Sequence, residues 1–252
     1  MRNAILDLMS KKILIVMPVY NAEKTLRLAI DSILNQSYKH FYLIIVDDCS
    51  TDSSLEIAKE YAKDSRVKLY RNTENRGAYY SRNIGLYFGK KLRWDFFTTH
   101  DADDVSFPNR YEDLLKTINK ENVNAVQDVF IRVNLKTNKE GEGQLTMAHA
   151  LFKRSVFDDI GYFEEKRFGA DWEYWQRLTS FNLINGKTTV SHKEIVGRSF
   201  IGENNLTVKI PIGSQKRRMY VQVTYRKIRE MVRRNNFYRD IDENNLITEV
   251  VK

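Results

Sequence analysis

Four times in succession the chain runs through an apolar stretch, a polar loop and a helical stretch, and this alternation constrains its fold more than any other feature. "KILIVMPVY" (Lys12–Tyr20) is a continuous apolar run of the kind a strand buried on both faces requires. Residues 22–36 then space Leu26, Ala29, Ile30, Ile33 and Leu34 at helical intervals. "FYLIIVDDCS" (41–50) repeats the strand form, and a helix over about 52–63 follows with Ser50 or Thr51 as candidate N-cap. A third strand is predicted over 66–72, with a helix starting near Gly77. "RWDFFTTHDADD" supplies the fourth strand, and "FPNRYEDLLKTINKE" a helix with Pro108 in its first turn. Such alternation predicts an α/β fold, a mostly parallel sheet with helices on both faces.

Beyond residue 122 the alternation loosens. Two strands about a polar loop at 136–143, a helix near 170–181 and a strand within 187–200 are expected. With only 3 prolines and no low-complexity tract, no linker divides the chain. The single cysteine, Cys49, excludes an internal disulfide. No stretch reaches the length of a membrane span, and the chain reads as soluble and cytoplasmic.

Charge is unevenly placed. The chain has 41 Lys and Arg against 33 Asp and Glu, a net charge of +8. Between Ser214 and Arg239 there are nine basic residues and one acidic one, which is the whole of that excess. Residues 212–252 are therefore set apart as a basic helical extension. In it Val221, Tyr225, Ile228 and Val232 form an apolar stripe beside Arg218, Arg226, Arg229 and Arg233. A helix packed on the body is the first reading, and a peripheral membrane contact through residues 214–239 the second. Nucleic acid or a partner protein is the remaining alternative.

In an open parallel sheet, ligands collect beyond the carboxyl ends of the strands. Three acid-bearing loops, "PVYNAE", "DDCSTD" and "HDADD", fall there. Asp101, Asp103 and Asp104 lie within four residues, and like charges that close need a positive partner. A divalent cation is one: Mg2+ and Mn2+ are hard ions that take carboxylate oxygen.

The motifs "ILIVMPVYNAEKTLRLAIDSILNQSY", "LIIVDDCSTDSS", "NRGAYYSRNIG", "HDADD" and "FGADWEYWQRL", in this order, resemble the signatures of family 2 glycosyltransferases with the GT-A fold. The resemblance spans about Ile13 to Thr207. It implies a GT-A domain over residues 1–211, with a nucleotide-binding half at 12–104 and an acceptor half at 105–211. It also implies transfer of a sugar from a nucleotide-sugar donor, with inversion and with Mn2+ or Mg2+. By resemblance, Asp103 contacts the metal and Asp101 lies near the ribose or the metal; Asp104 reads as a cap of the loop or of the following helix. Pro18, Val19 and Tyr20 line the nucleobase slot, Asp48 accepts from a base N–H as uracil would offer, and Arg82 lies near the diphosphate. Glu23 belongs to the first-loop signature.

Asp171 is the implied base that takes the acceptor proton. Trp172 offers a stacking face for an acceptor sugar, and Glu173 is the fallback carboxylate. The sequence departs from the family pattern at Ala170, where an acid is common, and in "GRSFIGENNLT", which lacks a histidine in register and offers Arg198 instead. His192 reads as structural, while His100 and His149 border the expected cleft, where a lone histidine is more often a hydrogen-bonded filler. The motif of processive synthases is missing, so the expected reaction moves one sugar, from a UDP-linked donor to a glycan or lipid-linked acceptor. The alternatives are a glycan- or nucleotide-binding module and a transferase acting on modified nucleic acid.

Overall fold

The computed structural model describes residues 10–134, 136–201 and, nearer the C-terminus, 224, 226–228, 230–231, 234, 238, 241 and 248–250. Strands β1 (Ile13–Val19), β2 (Phe41–Asp47), β3 (Val67–Asn72) and β4 (Phe96–Thr99) stand where the apolar runs predict them. β1 lies between β2 and β4 and is parallel to both, and β2 is parallel to β3. Their carboxyl ends therefore share one rim. Connecting them are α1 (Leu26–Leu34), α2 (Ser54–Tyr61) and α3 (Ala78–Gly89).

The second half makes the sheet mixed. It adds β5 (Asp104–Ser106), α4 (Arg110–Lys120), β6 (Ala125–Asn134), β7 (Glu140–Lys153), α5 (Arg154–Ile160), α6 (Ala170–Asn185) and β8 (Thr189–Ile201). A short strand, β9 (Thr248–Val250), pairs antiparallel with the edge of β3. The strand order is β5-β8-β6-β7-β4-β1-β2-β3-β9. The antiparallel β4–β7 pairing brings the irregular half beside the rim.

Alternation along β1 builds the two core layers. Ile13, Ile15 and Met17 pack with α1, α2 and α4 residues such as Ile30, Leu55 and Leu114. Leu14 and Val16 face the other way, toward Tyr80, Ile84, Phe97 and Tyr174. α3 lies very close to the sheet: a Cβ on Gly85 would stand 2.2 Å from Cγ1 of Val16. Gly85→Ala is thus expected to cost about 1–3 kcal/mol by overpacking. That should lower the melting temperature by several degrees, at about 2–4 °C per kcal/mol for a chain of this size. An unchanged melting curve would mean that α3 can lift off β1 at no cost.

Several local expectations are corrected. α2 starts later than predicted, with Ser53 as N-cap, because Ser50 and Thr51 are engaged with the first loop. Pro108 precedes α4 rather than lying in its first turn, and Asn109 is the N-cap. β7 begins at Glu140, inside the predicted loop. Of the basic extension, Thr224 and Ile228 are buried, at 1% exposure each, and Arg226 is exposed. Lys227 pairs with Glu164, and the Tyr162 N–H donates to the Tyr238 carbonyl at 2.6 Å. These contacts dock that part of the chain on the body, and β9 returns it to the sheet. Arg218, Val221, Tyr225, Arg229, Val232 and Arg233 lie outside the described residues. Among the described residues no helix is long and apolar enough to cross a membrane.

Candidate active site

The first two rim loops are tied together by their own polar side chains. The Asn21 N–H donates to Ser50 Oγ at 3.1 Å, and the Ala22 N–H to Ser54 Oγ at 2.8 Å. The Thr51 N–H donates back to Asn21 Oδ1 at 2.8 Å. Glu23 is exposed and accepts from the Ser53 N–H at 3.2 Å, so its carboxylate holds the start of α2. Pro18 and Val19 are buried in β1, and Tyr20, just past its end, is half exposed at 52%. Tyr20 is therefore the member of the predicted nucleobase trio whose ring is open to a ligand.

Asp48 is buried and anchors the start of α3. Its carboxylate accepts from Asn72 Nδ2 at 2.7 Å, the Arg76 N–H at 3.0 Å and the Gly77 N–H at 2.7 Å. A carboxylate has about four lone-pair positions, so these three bonds leave one open. Gly77 itself has φ +94°, a conformation that a residue with a Cβ resists. This turn aims α3 so that Arg82, on its second turn, reaches the loop after β4.

Here the acidic loop finds its positive partners. Arg82 is buried at 3% exposure, and its Nη2 lies 2.5 Å from Asp101 Oδ1. Burial opposes the guanidinium charge, but Asp101, Tyr79 and Asp171 hold its pKa above the ordinary arginine value. Burial likewise works against Asp101, yet Arg82 and His149 keep its carboxyl far below the usual carboxylate range. His149 Nε2 lies 2.7 Å from Asp104 Oδ2 and 3.8 Å from Asp101 Oδ2. Against burial, the two carboxylates push the His149 pKa up to about 10.

Asp104 is accordingly not a cap. It opens β5 and pairs with His149, one of the two histidines expected at the border of the cleft. His100 is the filler expected: its Nδ1 lies 3.0 Å from the Asp101 carbonyl and its Nε2 2.9 Å from Ser106 Oγ. Burial, with Arg110 and His149 nearby, lowers its pKa well below the ordinary value. His192, bonded to Thr117 Oγ1 at 3.1 Å, is also structural.

Behind this loop Arg110 locks three strands. It donates to Asp128 Oδ2 on β6 at 2.9 Å, Ser106 Oγ on β5 at 3.1 Å and the His149 carbonyl on β7 at 2.6 Å. Arg110 and Asp128 are both fully buried, so each needs the other. This scaffold fixes where His149 stands.

With His149 deprotonated, the donors suit a divalent cation. One ligand atom from each of Asp101, Asp104 and His149 lies within 4.8 Å of the others. Neither ring nitrogen of His149 has an aligned hydrogen bond, although both are buried. Asp103 is half-buried on the same turn, and its carbonyl accepts from the Phe200 N–H at 3.1 Å.

On the other side of Arg82 stands Asp171, in the first turn of α6. Tyr79 Oη donates to Asp171 Oδ1 at 2.7 Å. The guanidinium of Arg82 lies 4.8 Å from the centre of the Tyr79 ring. Trp172 is half-buried beside Asp171, whereas Trp175 belongs to the core.

Glu173 must be withdrawn as an acceptor contact or fallback base. It is buried at 1% exposure, and Arg177 holds both its oxygens, at 2.9 and 2.7 Å. Ala170 is fully buried, so an acid there would lie in the core rather than beside Asp171. Arg198 pairs with Glu140 at 2.7 Å.

Comparison with known proteins follows the same lines. The chain is 44% identical to EpsE of Bacillus subtilis (strain 168) over 103 residues, 40% of this chain and 36% of that one. It is 34% identical to the glycosyltransferase GlyA of Streptococcus pneumoniae serotype 4 over 181 residues, 71% of this chain but 24% of GlyA. The chain thus spans about a quarter to a third of the length of these curated relatives. Residues 1–349 of S. aureus TarS, crystallised with UDP-GlcNAc, share its fold with a TM-score of 0.67 at 18% identity, over 92% of this chain and 68% of that one. The family model described as "Glycosyl transferase family 2" matches residues 14–228, and the chain belongs to that family.

Proposed function

We propose that this chain carries the catalytic site of an inverting glycosyltransferase that moves one sugar from a UDP-linked donor to a glycan or lipid-linked acceptor. The observation that carries the reading is Arg82, a buried cation gripping Asp101 on one side and joined through Tyr79 to Asp171 on the other. Arg82 presents positive charge where a diphosphate would lie. Asp171 offers a half-buried carboxylate at a helix start, where it can take the proton of an acceptor hydroxyl during attack. Tyr20 gives a base an aromatic face, and Asp48 keeps one acceptor position for its N–H. In this reading residues 12–104 form the donor half and 105–211 the acceptor half.

A divalent cation, when bound, neutralises charge building on the departing diphosphate. Asp101 and Asp103 would hold it from the open side of the loop, Mn2+ and Mg2+ being the ions their oxygens suit. Asp104 and His149, buried and paired, would back them. Two similar proteins support a nucleotide-sugar donor in their own names. A relative from Escherichia coli, 34% identical over 120 residues (48% of this chain, 46% of that one), is named UDP-Glc:alpha-D-GlcNAc-diphosphoundecaprenol beta-1,3-glucosyltransferase. A mannosyltransferase from Pyrobaculum calidifontis, TM-score 0.59 and 19% identical over 77% of this chain and 58% of that one, was solved with GDP-Man and Mn2+.

The test is a melting-curve panel of UDP-, GDP- and TDP-sugars with and without Mn2+. One class of donor should raise the melting temperature, and more with the metal, since a ligand that binds only the folded state stabilises it. At a concentration about 100 times its Kd, the gain is about 2.7 kcal/mol. No shift with any donor would overturn the reading.

A further inference from the structure

We propose that Tyr79 is a positioning residue for the transfer, fixing the Asp171 carboxylate by a hydrogen bond and tying it to the Arg82–Asp101 pair at the donor end. This rests on Asp171 being the base. Nothing in the sequence motif marks Tyr79; the placement comes from the fold. α3 carries both Tyr79 and Arg82, and α6 delivers Asp171 from 92 residues away to meet the phenol at 2.7 Å. Tyr79 is buried at 8% exposure, with its ring also against Phe163, 6.2 Å between centres. A buried phenol has few other conformers available, so the oxygen it presents is fixed.

Chemistry fits the placement. Burial, and then the Asp171 charge, raise the Tyr79 pKa well above the ordinary phenol value, so it stays a donor. Tyr79 transfers no proton. Its O–H holds Oδ1 and leaves Oδ2 as the atom for the acceptor hydroxyl. Arg82 is the charged group that faces Asp171 electrostatically from α3. Glu173, on Asp171's own helix, is turned away into Arg177. The three side chains Tyr79, Arg82 and Asp171 thus link the carboxylate that waits for the acceptor to the cation that faces the leaving group.

Tyr79→Phe tests this without emptying the site, since the ring under Arg82 is kept. UDP release from UDP-Glc and UDP-GlcNAc with Mn2+, water serving as acceptor, is followed across pH in the whole chain. The wild type, Tyr79→Phe, Asp171→Asn and the double variant are compared. Tyr79→Phe should lower kcat roughly 10-fold, the weight of one hydrogen bond to a charged group, with the donor KM unchanged. Its acidic limb should move to higher pH, because a bond donated to the ionised form favours that form and is now missing. In the Asp171→Asn background the same change should cost nothing further.

An equal loss in both backgrounds, or a single variant with wild-type kcat and an unmoved limb, overturns the positioning role alone. An Asp171→Asn enzyme with wild-type kcat instead removes the base, and the positioning role falls with it. Melting curves of the variants serve as the folding control.

Discussion

Asp103→Ala is expected to lose metal-dependent donor binding and at least about 10³-fold in activity, since Lewis-acid stabilisation is worth several kcal/mol. The fold should survive. Asp101 keeps Arg82 and Asp104 keeps His149 when the third acid is removed. The main-chain bond from the Phe200 N–H to the Asp103 carbonyl does not depend on the side chain. The structure also offers an inner set, Asp101, Asp104 and His149, and the two sets are separable. His149→Gln should weaken the loop's support, and lower the melting temperature, while leaving the Mn2+ effect on donor binding in place. If Asp103→Ala keeps the wild-type Mn2+ effect and His149→Gln abolishes it, the cation belongs to the inner set and the assignment of Asp103 is wrong.

The parts of this molecule that were legible in its sequence are those governed by local pattern. The strand read at Lys12–Tyr20 is Ile13–Val19, and the helix read at 170–181 starts at Ala170. Both signals were written in periodicity, which needs no knowledge of distant residues. Arg82 and Asp101 were legible through a resemblance, and the structure brings them into contact.

The rest depended on contacts that run far along the chain. β5 is three residues long and exists because Val105 pairs with Arg198 on β8. β9 exists because the end of the chain returns to Tyr70 and Asn72. His149 gave no local sign of its role: it is one polar residue in a long strand, and only the Arg110–Asp128 lock places it against Asp104. Glu173 misled for the converse reason. An acid two residues from a proposed base looks available, yet helical spacing puts Arg177 four residues on, directly against it. The three crowded acids thus have two positive partners among the described residues, Arg82 and His149, neither of them close to the loop in sequence.

Asp171→Asn should separate chemistry from binding. The asparagine is nearly isosteric and can still accept the Tyr79 hydrogen bond through its side-chain carbonyl, so the local structure has little reason to move. It cannot take up a proton at neutral pH. Donor affinity, read from the melting shift with Mn2+, is expected within a few-fold of wild type, because Arg82, Asp48 and the acidic loop are untouched. The value of kcat is expected to fall about 10²–10⁴-fold, the usual contribution of a positioned general base. Two features make Asp171 the carboxylate to test. Glu173 is sealed against Arg177 and cannot substitute, and Ala170 carries no acid at all. If the variant bound donor and turned over at the wild-type rate, the proton would have to leave by another route, and Asp171 would be a helix-start residue whose bond to Tyr79 serves only the packing of α3 against α6.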